Sequence, residues 1–252
     1  MEPLTRDDAR LLLTARAYLY ELAHTVFSGE PDERLIGAIA NDFTDGALRL
    51  ATDEPNDAYD RLRVYLADRA PVFTEGNRLD ELKSSYMRLV EGPDLNDAYP
   101  WESMYVSHRR LLFQKSTLEV REAYREFGYE LQERGKVPDD HLSLECAFMA
   151  KMAEKTLEVW DVVFPGQEDG ASKSASEDAF APFEELRRLL DGQERFLNDH
   201  ATRWFSLYAA DLGKNDEGSM YALVANMIAA FVRDDLSAIA AVRSCACGGR
   251  TQ

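Results

Sequence analysis

The chain has 252 residues, 45% of them hydrophobic, and a formal net charge of −17. The apolar content is enough to bury a core, which excludes a disordered chain, and the negative charge disfavours nucleic acid because phosphate is repelled. Three cysteines are too few for a disulfide-built secreted domain, and no signal-peptide pattern or membrane-length apolar run occurs. We therefore expect a soluble cytoplasmic protein without membrane insertion.

Apolar residues recur at spacings of three and four along most of the chain, and strand-like alternation is scarce. In chain order, the spacing predicts helices over residues 5–27, 31–40, 44–52, 56–70, 78–90, 117–133, 139–163, 181–210, 218–233 and 235–243. The fold class is therefore predicted to be all-α, with a single bundle of roughly nine to ten helices in one domain, residues 1–243.

Two segments are expected to lie outside this bundle. Residues 165–180 are rich in glycine, serine, alanine and acids, which predicts a mobile linker. Such a linker allows helix exchange between subunits, so a monomer and a swapped homodimer both remain open. Residues 244–252 are predicted to be a flexible tail. Cys245 and Cys247 could there bind a soft metal or form a transient disulfide, although a solvated tail is favoured.

Signatures of catalysis are sparse. The pair Glu21 and His24 has the Glu-x-x-His spacing of a di-iron bundle, but such a site needs two pairs, and a second is absent from the sequence. A metal-dependent helical enzyme built on this pair is kept as an alternative. We otherwise expect neither catalysis nor a bound cofactor or metal.

The first segment that stands out follows the predicted helix at 78–90. It reads Tyr86-x-Arg88-Leu89-x-x-Gly92-Pro93 and then, after a turn-rich loop, Pro100-Trp101-Glu102-Ser103-x-Tyr105. Aromatic rings beside a carboxylate suit a peptide that is partly apolar and partly cationic. The alternative is structural, with Trp101 as a core anchor and Glu102 paired locally.

The second segment is Pro138-Asp139-Asp140-His141-Leu142, followed by Glu145 and Phe148-Met149. Proline and acids are typical of a helix start. An ordinary capped helix with an exposed histidine in its first turn therefore explains this segment as well as a binding role does.

Taken together and in this order, the two segments resemble the signature of the TorD/DmsD/NarJ-type redox-enzyme maturation chaperones, most closely the TorD/DmsD branch. The likeness extends through residues 118–128, 196–204 and 220–225, and covers roughly residues 10–235. Three positions depart from the family pattern, where an aromatic residue, a valine and a leucine are usual: Val90, Met104 and Cys146.

The resemblance implies an all-helical cytoplasmic chaperone without enzymatic activity. Its expected partners are the twin-arginine signal peptide and the apo form of the catalytic subunit of a molybdopterin oxidoreductase of the dimethyl-sulfoxide-reductase superfamily. Its expected role is to assist cofactor insertion, folding and export proofreading. The residues that match the family's signal-peptide site are Trp101, Glu102, Tyr105, Asp140, His141 and Leu142.

Within this site we expect Glu102 and Asp140 to receive the arginines, while Trp101, Tyr105 and Leu142 face the apolar stretch of the peptide. His141 is expected to add a pH-dependent contribution near neutrality. On this hypothesis, Asp140→Lys weakens peptide binding without unfolding the protein. A helical adaptor with an unrelated protein ligand is the remaining alternative, and it would show no preference for paired arginines.

Overall fold

A computed structural model describes residues 4–39, 41–52, 57–73, 77–91, 98–107, 110–131, 138–165 and 180–248. Within these ranges the regular structure is helical, and the strand-like pairing is one isolated antiparallel bridge between Trp101 and His141. The prediction of an all-α bundle is confirmed. The predicted linker falls mostly on residues 166–179, which lie outside the described residues.

The helices run in chain order with the following bounds: α1 Arg6–Ser28, α2 Glu33–Ile39, α3 Asp42–Ala51, α4 Asp57–Phe73, α5 Asn77–Tyr86, α6 Ser103–Val106, α7 Lys115–Glu126, α8 Leu142–Val163, α9 Phe180–Phe196, α10 Thr202–Asp216 and α11 Met220–Gly248. Helix α5 continues into a π-helical turn at Met87–Glu91, and a second π-helical turn at Leu197–Ala201 joins α9 to α10. None of the described helices is long and apolar enough to cross a membrane.

Helix α1 begins at a capping box, as the sequence around Thr5 predicts. The Thr5 hydroxyl accepts a hydrogen bond from the Asp8 backbone N–H at 3.1 Å, and the Asp8 carboxylate accepts from the Thr5 N–H at 3.2 Å. These bonds satisfy two backbone donors that a helix start would otherwise leave unpaired.

One hydrophobic core runs through the described residues from Ala9 to Ala246. At its centre α1 packs against α8 and α11, and α11 also packs against α10 and α4. Because α11 is surrounded in this way, buried residues occur along most of its length. A helix with so many buried residues is typical of the centre of a bundle.

The end of the chain departs from the sequence prediction. The sequence predicted two helices, at 218–233 and 235–243, but the structure has one continuous helix there. Asp235 does not interrupt it, because its buried carboxylate pairs with Arg16 of α1. The tail prediction is wrong for residues 244–248, which form the last turns of α11. Cys245 is half-buried and Cys247 exposed. Residues two apart point to different sides of a helix, so these thiols do not converge on one metal.

Candidate functional site

The two segments singled out in the sequence meet in one place. The Glu102 N–H donates to the Asp140 carbonyl oxygen and the Leu142 N–H to the Pro100 carbonyl oxygen, both at 2.9 Å. These bonds clamp the loop before α6 onto the turn before α8. The structure therefore brings all six residues predicted for the signal-peptide site to one junction.

The side chains at this junction divide into an inner and an outer set. Glu102 and Asp140 are 0% exposed and Leu142 is 2% exposed, whereas Trp101, Tyr105 and His141 are partly exposed. The expectation that Glu102 and Asp140 present their carboxylates to arginines is thus at odds with their burial. In this conformation, the accessible part of the predicted site is aromatic.

Asp140 has a structural task. One of its carboxylate oxygens accepts a hydrogen bond from the Ser103 backbone N–H at 2.8 Å, at the start of α6. Its neighbour Asp139 is tied to α7 by an ion pair with Arg121, and the Tyr124 hydroxyl donates to the Asp139 carbonyl oxygen at 3.0 Å. The turn before α8 is therefore fixed to both α6 and α7.

Glu102 is used inside the bundle as well. His200, on the π-helical turn after α9, shares a hydrogen bond of 2.9 Å between its Nδ1 and the Glu102 carboxylate. The other carboxylate oxygen of Glu102 has no hydrogen-bond partner within the described residues. A buried acceptor with unused capacity is unusual, because leaving it unpaired costs free energy.

Glu145 completes a group of three buried carboxyl groups, and sequence reasoning did not assign it a role. Trp204 of α10 donates from its indole Nε1 to Glu145 at 3.2 Å. Burial raises the pKa of Glu145 well above its ordinary value, and the charges of Glu102 and Asp140 add to this shift. The neutral form of Glu145 is therefore favoured more strongly than that of an exposed glutamate.

His141 is the N-cap of α8 rather than an exposed first-turn residue. Its Nδ1 accepts from the Ser143 backbone N–H at 3.2 Å, and its ring lies 5.4 Å from the Trp101 ring in an edge-on arrangement. Burial, with a smaller contribution from His24, lowers the pKa of His141 from 6.5 to about 4. The predicted pH-dependent contribution near neutrality is therefore wrong, since the ring is already neutral there.

This lowered pKa predicts an acid sensitivity that can be measured. The unfolded chain binds more protons than the native one between pH 6.5 and 4, so the stability contributed by His141 is complete above pH 6.5 and is lost as the pH falls towards 4. Asparagine also caps helices but does not titrate there. The free energy of unfolding is measured by urea titration at pH 7.5 and at pH 5, for the parent and for His141→Asn. We expect the decrease from pH 7.5 to pH 5 to be about 1–2 kcal/mol smaller for His141→Asn than for the parent. Equal losses would contradict this assignment.

Two aromatic side chains carry the outer face of the junction. The indole Nε1 of Trp101 is buried and has no hydrogen-bond acceptor within the described residues. Tyr105 stacks on Trp204 with 5.7 Å between ring centroids, and burial raises the pKa of Tyr105 above its ordinary value. Trp101 and Tyr105 therefore offer ring surface held from behind by buried aromatic and carboxyl groups.

A further surface, missed by sequence reasoning, directly follows Arg110, whose guanidinium lies 5.8 Å from the Tyr105 ring centroid. Leu111, Leu112 and Phe113, between α6 and α7, are 50%, 38% and 58% exposed. Arg110 and Phe113 have φ values of 44° and 56°, a left-handed conformation that bulky residues rarely adopt. Three consecutive apolar residues outside any predicted helix were the signal that could have identified this apolar loop.

The geometry does not support the alternative of a metal-dependent enzyme built on Glu21 and His24. His24 Nδ1 lies 2.9 Å from the Ser143 carbonyl oxygen, so the ring bonds α1 to the first turn of α8. Among the residues that the structure describes, no group of three or more His, Cys, Asp or Glu side chains is arranged to hold a metal ion.

Comparisons with known proteins indicate that this helical bundle with its aromatic junction belongs to a class of chaperones. Residues 52–210 match the sequence family described as nitrate reductase delta subunit. Over 240 residues the chain is 22% identical to the chaperone protein TorD of Shewanella piezotolerans, covering 92% of this chain and 96% of that protein. It is also 26% identical over 155 residues to TorD of Vibrio parahaemolyticus, covering 62% of each.

The family match covers more than half of the chain. The chain therefore belongs to the nitrate reductase delta subunit family and is a redox-enzyme maturation chaperone of the TorD type. This confirms the resemblance read from the sequence. Because these relatives are named chaperones, it also agrees with the expectation that the chain is not an enzyme.

Proposed function

We propose that this chaperone binds the twin-arginine signal peptide of a molybdopterin oxidoreductase of the dimethyl-sulfoxide-reductase superfamily. It acts in the cytoplasm on the apo form of the catalytic subunit, and it assists cofactor insertion, folding and export proofreading. The observation that carries the proposal is the junction at which Trp101 and His141 pair and present partly exposed aromatic rings. The apolar loop at 111–113 directly follows Arg110, whose guanidinium lies over the Tyr105 ring of this junction. Helix exchange into a homodimer remains a prediction.

The burial pattern assigns different tasks to the six predicted site residues. Trp101, Tyr105 and His141 form the surface that touches the peptide, because parts of these side chains remain exposed. Glu102, Asp140 and Leu142 hold that surface in place from behind. The apolar stretch of the signal peptide contacts the rings and the apolar loop, where burying apolar area provides the free energy of binding.

Charge favours the same partner. A net charge of −17 attracts a cationic peptide over distances comparable to the Debye length, about 8 Å at physiological salt. This attraction raises the association rate and makes binding sensitive to salt. Signal peptides that combine arginines with an apolar stretch complement both the charge and the aromatic junction.

The test is calorimetric titration with twin-arginine signal peptides from molybdoenzymes of the same genome, each beside a Lys-Lys version. We expect micromolar or tighter binding of one peptide, weakened by the Lys-Lys change and by salt. Trp101→Ala should weaken binding at least about tenfold, because large rings at the centre of an interface are typical hot spots. Phe43→Ala is the matched control, since Phe43 is a 56% exposed aromatic residue on α3.

Two outcomes would count against this proposal. If Trp101→Ala binds as tightly as Phe43→Ala, the aromatic junction is not the peptide site. If a partner protein binds but paired arginines give no advantage over paired lysines, the helical adaptor becomes the better description.

A further inference from the structure

A groove of about 460 Å³ lies between α7 and α9, apart from the aromatic junction. Its apolar lining includes Phe127, Phe148 and Phe196, and the imidazole of His200 completes the floor. The Phe196 and His200 rings lie 4.9 Å apart, so the floor is a continuous aromatic surface. Such a surface suits the flat guanidinium group of arginine, which stacks on aromatic rings.

Gly192 of α9 makes this floor possible. A Cβ atom at that position would lie 2.1 Å from Cζ of Phe127, so any larger residue would force the Phe127 ring away. The close approach of ring and helix backbone fixes one wall of the groove.

The rim of the groove carries four carboxylates and two guanidinium groups, those of Arg195 and Arg203. Glu119, Glu122 and Glu126 follow one another at spacings of three and four on α7, so they share one face of the helix, and Asp199 lines the groove as well. Glu119 pairs with Lys115 and Glu126 with Arg195, whereas Glu122 and Asp199 have no ion-pair partner among the described residues. Arg203 donates to the backbone carbonyl oxygen of Asp199 rather than to a carboxylate, so the carboxylates of Glu122 and Asp199 remain for a bound cation.

His200 links the groove to the aromatic junction. It is only 6% exposed, it lines the groove, and its Nδ1 bonds to Glu102 directly after Trp101 in the chain. Within the described residues, Nδ1 is the ring nitrogen that has a hydrogen-bond partner. The other nitrogen is therefore available to a polar group that enters the groove.

We infer that the groove between α7 and α9 receives the arginine pair of the client's signal peptide, an inference that rests on the proposed function. Glu102 and Asp140 are buried, so the arginines need accessible carboxylates, which Glu122 and its neighbours on α7 supply.

The groove and the apolar loop lie along the same helix. Lys115, where the loop ends, is about 10 Å from Glu122 at 1.5 Å rise per residue. About three extended peptide residues span that distance, so one peptide can place its arginines in the groove and its apolar stretch on the loop.

The test compares two neutralising double variants in titrations with the twin-arginine peptide and its Lys-Lys version. Glu119→Gln/Glu122→Gln changes the groove, and Asp80→Asn/Glu81→Gln removes the same charge from exposed positions of α5, which does not line the groove. We expect the groove variant to bind the twin-arginine peptide at least about tenfold more weakly than the control, and to lose most of the preference for arginine over lysine. A photocrosslinker next to the arginines should label α7 or α9 of the parent protein.

The outcomes separate the inference from the proposed function. If the parent prefers paired arginines and the groove variant binds like the α5 control, signal-peptide binding stands and the arginines bind elsewhere. Equal binding of both peptides by the parent also overturns the groove assignment. If the parent binds no signal peptide, the proposed function fails, and the groove assignment fails with it.

Discussion

Asp235→Ala is expected to lower the free energy of unfolding by about 3–5 kcal/mol. Arg16 and Asp235 are both 0% exposed, and the guanidinium and carboxylate form a two-fold hydrogen-bonded pair between α1 and α11. The Tyr20 hydroxyl donates to the same carboxylate at 2.7 Å. Without that carboxylate, the charge of Arg16 would stay buried without compensation, which is far more costly than losing a single contact.

The surface of the protein offers a matched control for this prediction. Arg10 and Asp161 form a pair of the same geometry, with N–O distances of 2.7 and 2.9 Å, but their side chains are 50% and 43% exposed. We expect Asp161→Ala to cost at most about 1 kcal/mol, because water screens the pair. Urea unfolding followed by circular dichroism measures both variants. Similar losses for the two would show that Arg16 finds another way to satisfy its charge.

Asp140→Lys is expected to destabilise the protein by about 3 kcal/mol or more, rather than to affect peptide binding alone. The position is 0% exposed, and the carboxylate accepts the Ser103 N–H at the start of α6. Lysine would remove that acceptor and bring a longer, charged side chain into a closed space. Nearby Glu102 and Glu145 offset only part of this cost, because burial raises the pKa of Glu145 and so favours its neutral form.

The conservative variant Asp140→Asn separates folding from binding. An amide oxygen can still accept from the Ser103 N–H, so we expect a loss of only about 1 kcal/mol and nearly unchanged peptide affinity. Unfolding midpoints and peptide titrations should be measured on both variants. A folded, stable Asp140→Lys protein with weakened peptide binding would restore the original hypothesis that Asp140 contacts an arginine directly.

Sequence reasoning predicted the helical class and most helix positions because the apolar spacing is regular. It located the junction because the motifs around Trp101 and His141 are distinctive. It could not give the direction of Glu102 and Asp140, since these side chains lie in irregular segments where no periodicity separates inside from outside. Acids beside aromatic rings in the sequence therefore predicted a surface that binds arginine, whereas both carboxylates are buried in the fold.

Other features depend on partners that are remote in the sequence. Asp235 resembles a polar break in the last helix until Arg16, 219 positions earlier, is placed beside it. The groove has walls from α7 and α9 and a floor that includes Phe148 of α8. Its shape exists only after these helices pack, so local patterns could not predict it.

The placement of α1 between α8 and α11 also bears on how the chain is made. During synthesis, residues 6–28 emerge long before their α11 partner at 220–248 has been translated. Until then the apolar side of α1 lacks its final cover and Arg16 lacks its counter-ion, so the native core cannot close on the ribosome one segment at a time. We therefore expect the nascent chain to expose apolar surface of α1 until α11 has been made. Chains that end before residue 220 should be degraded more readily than the full-length chain.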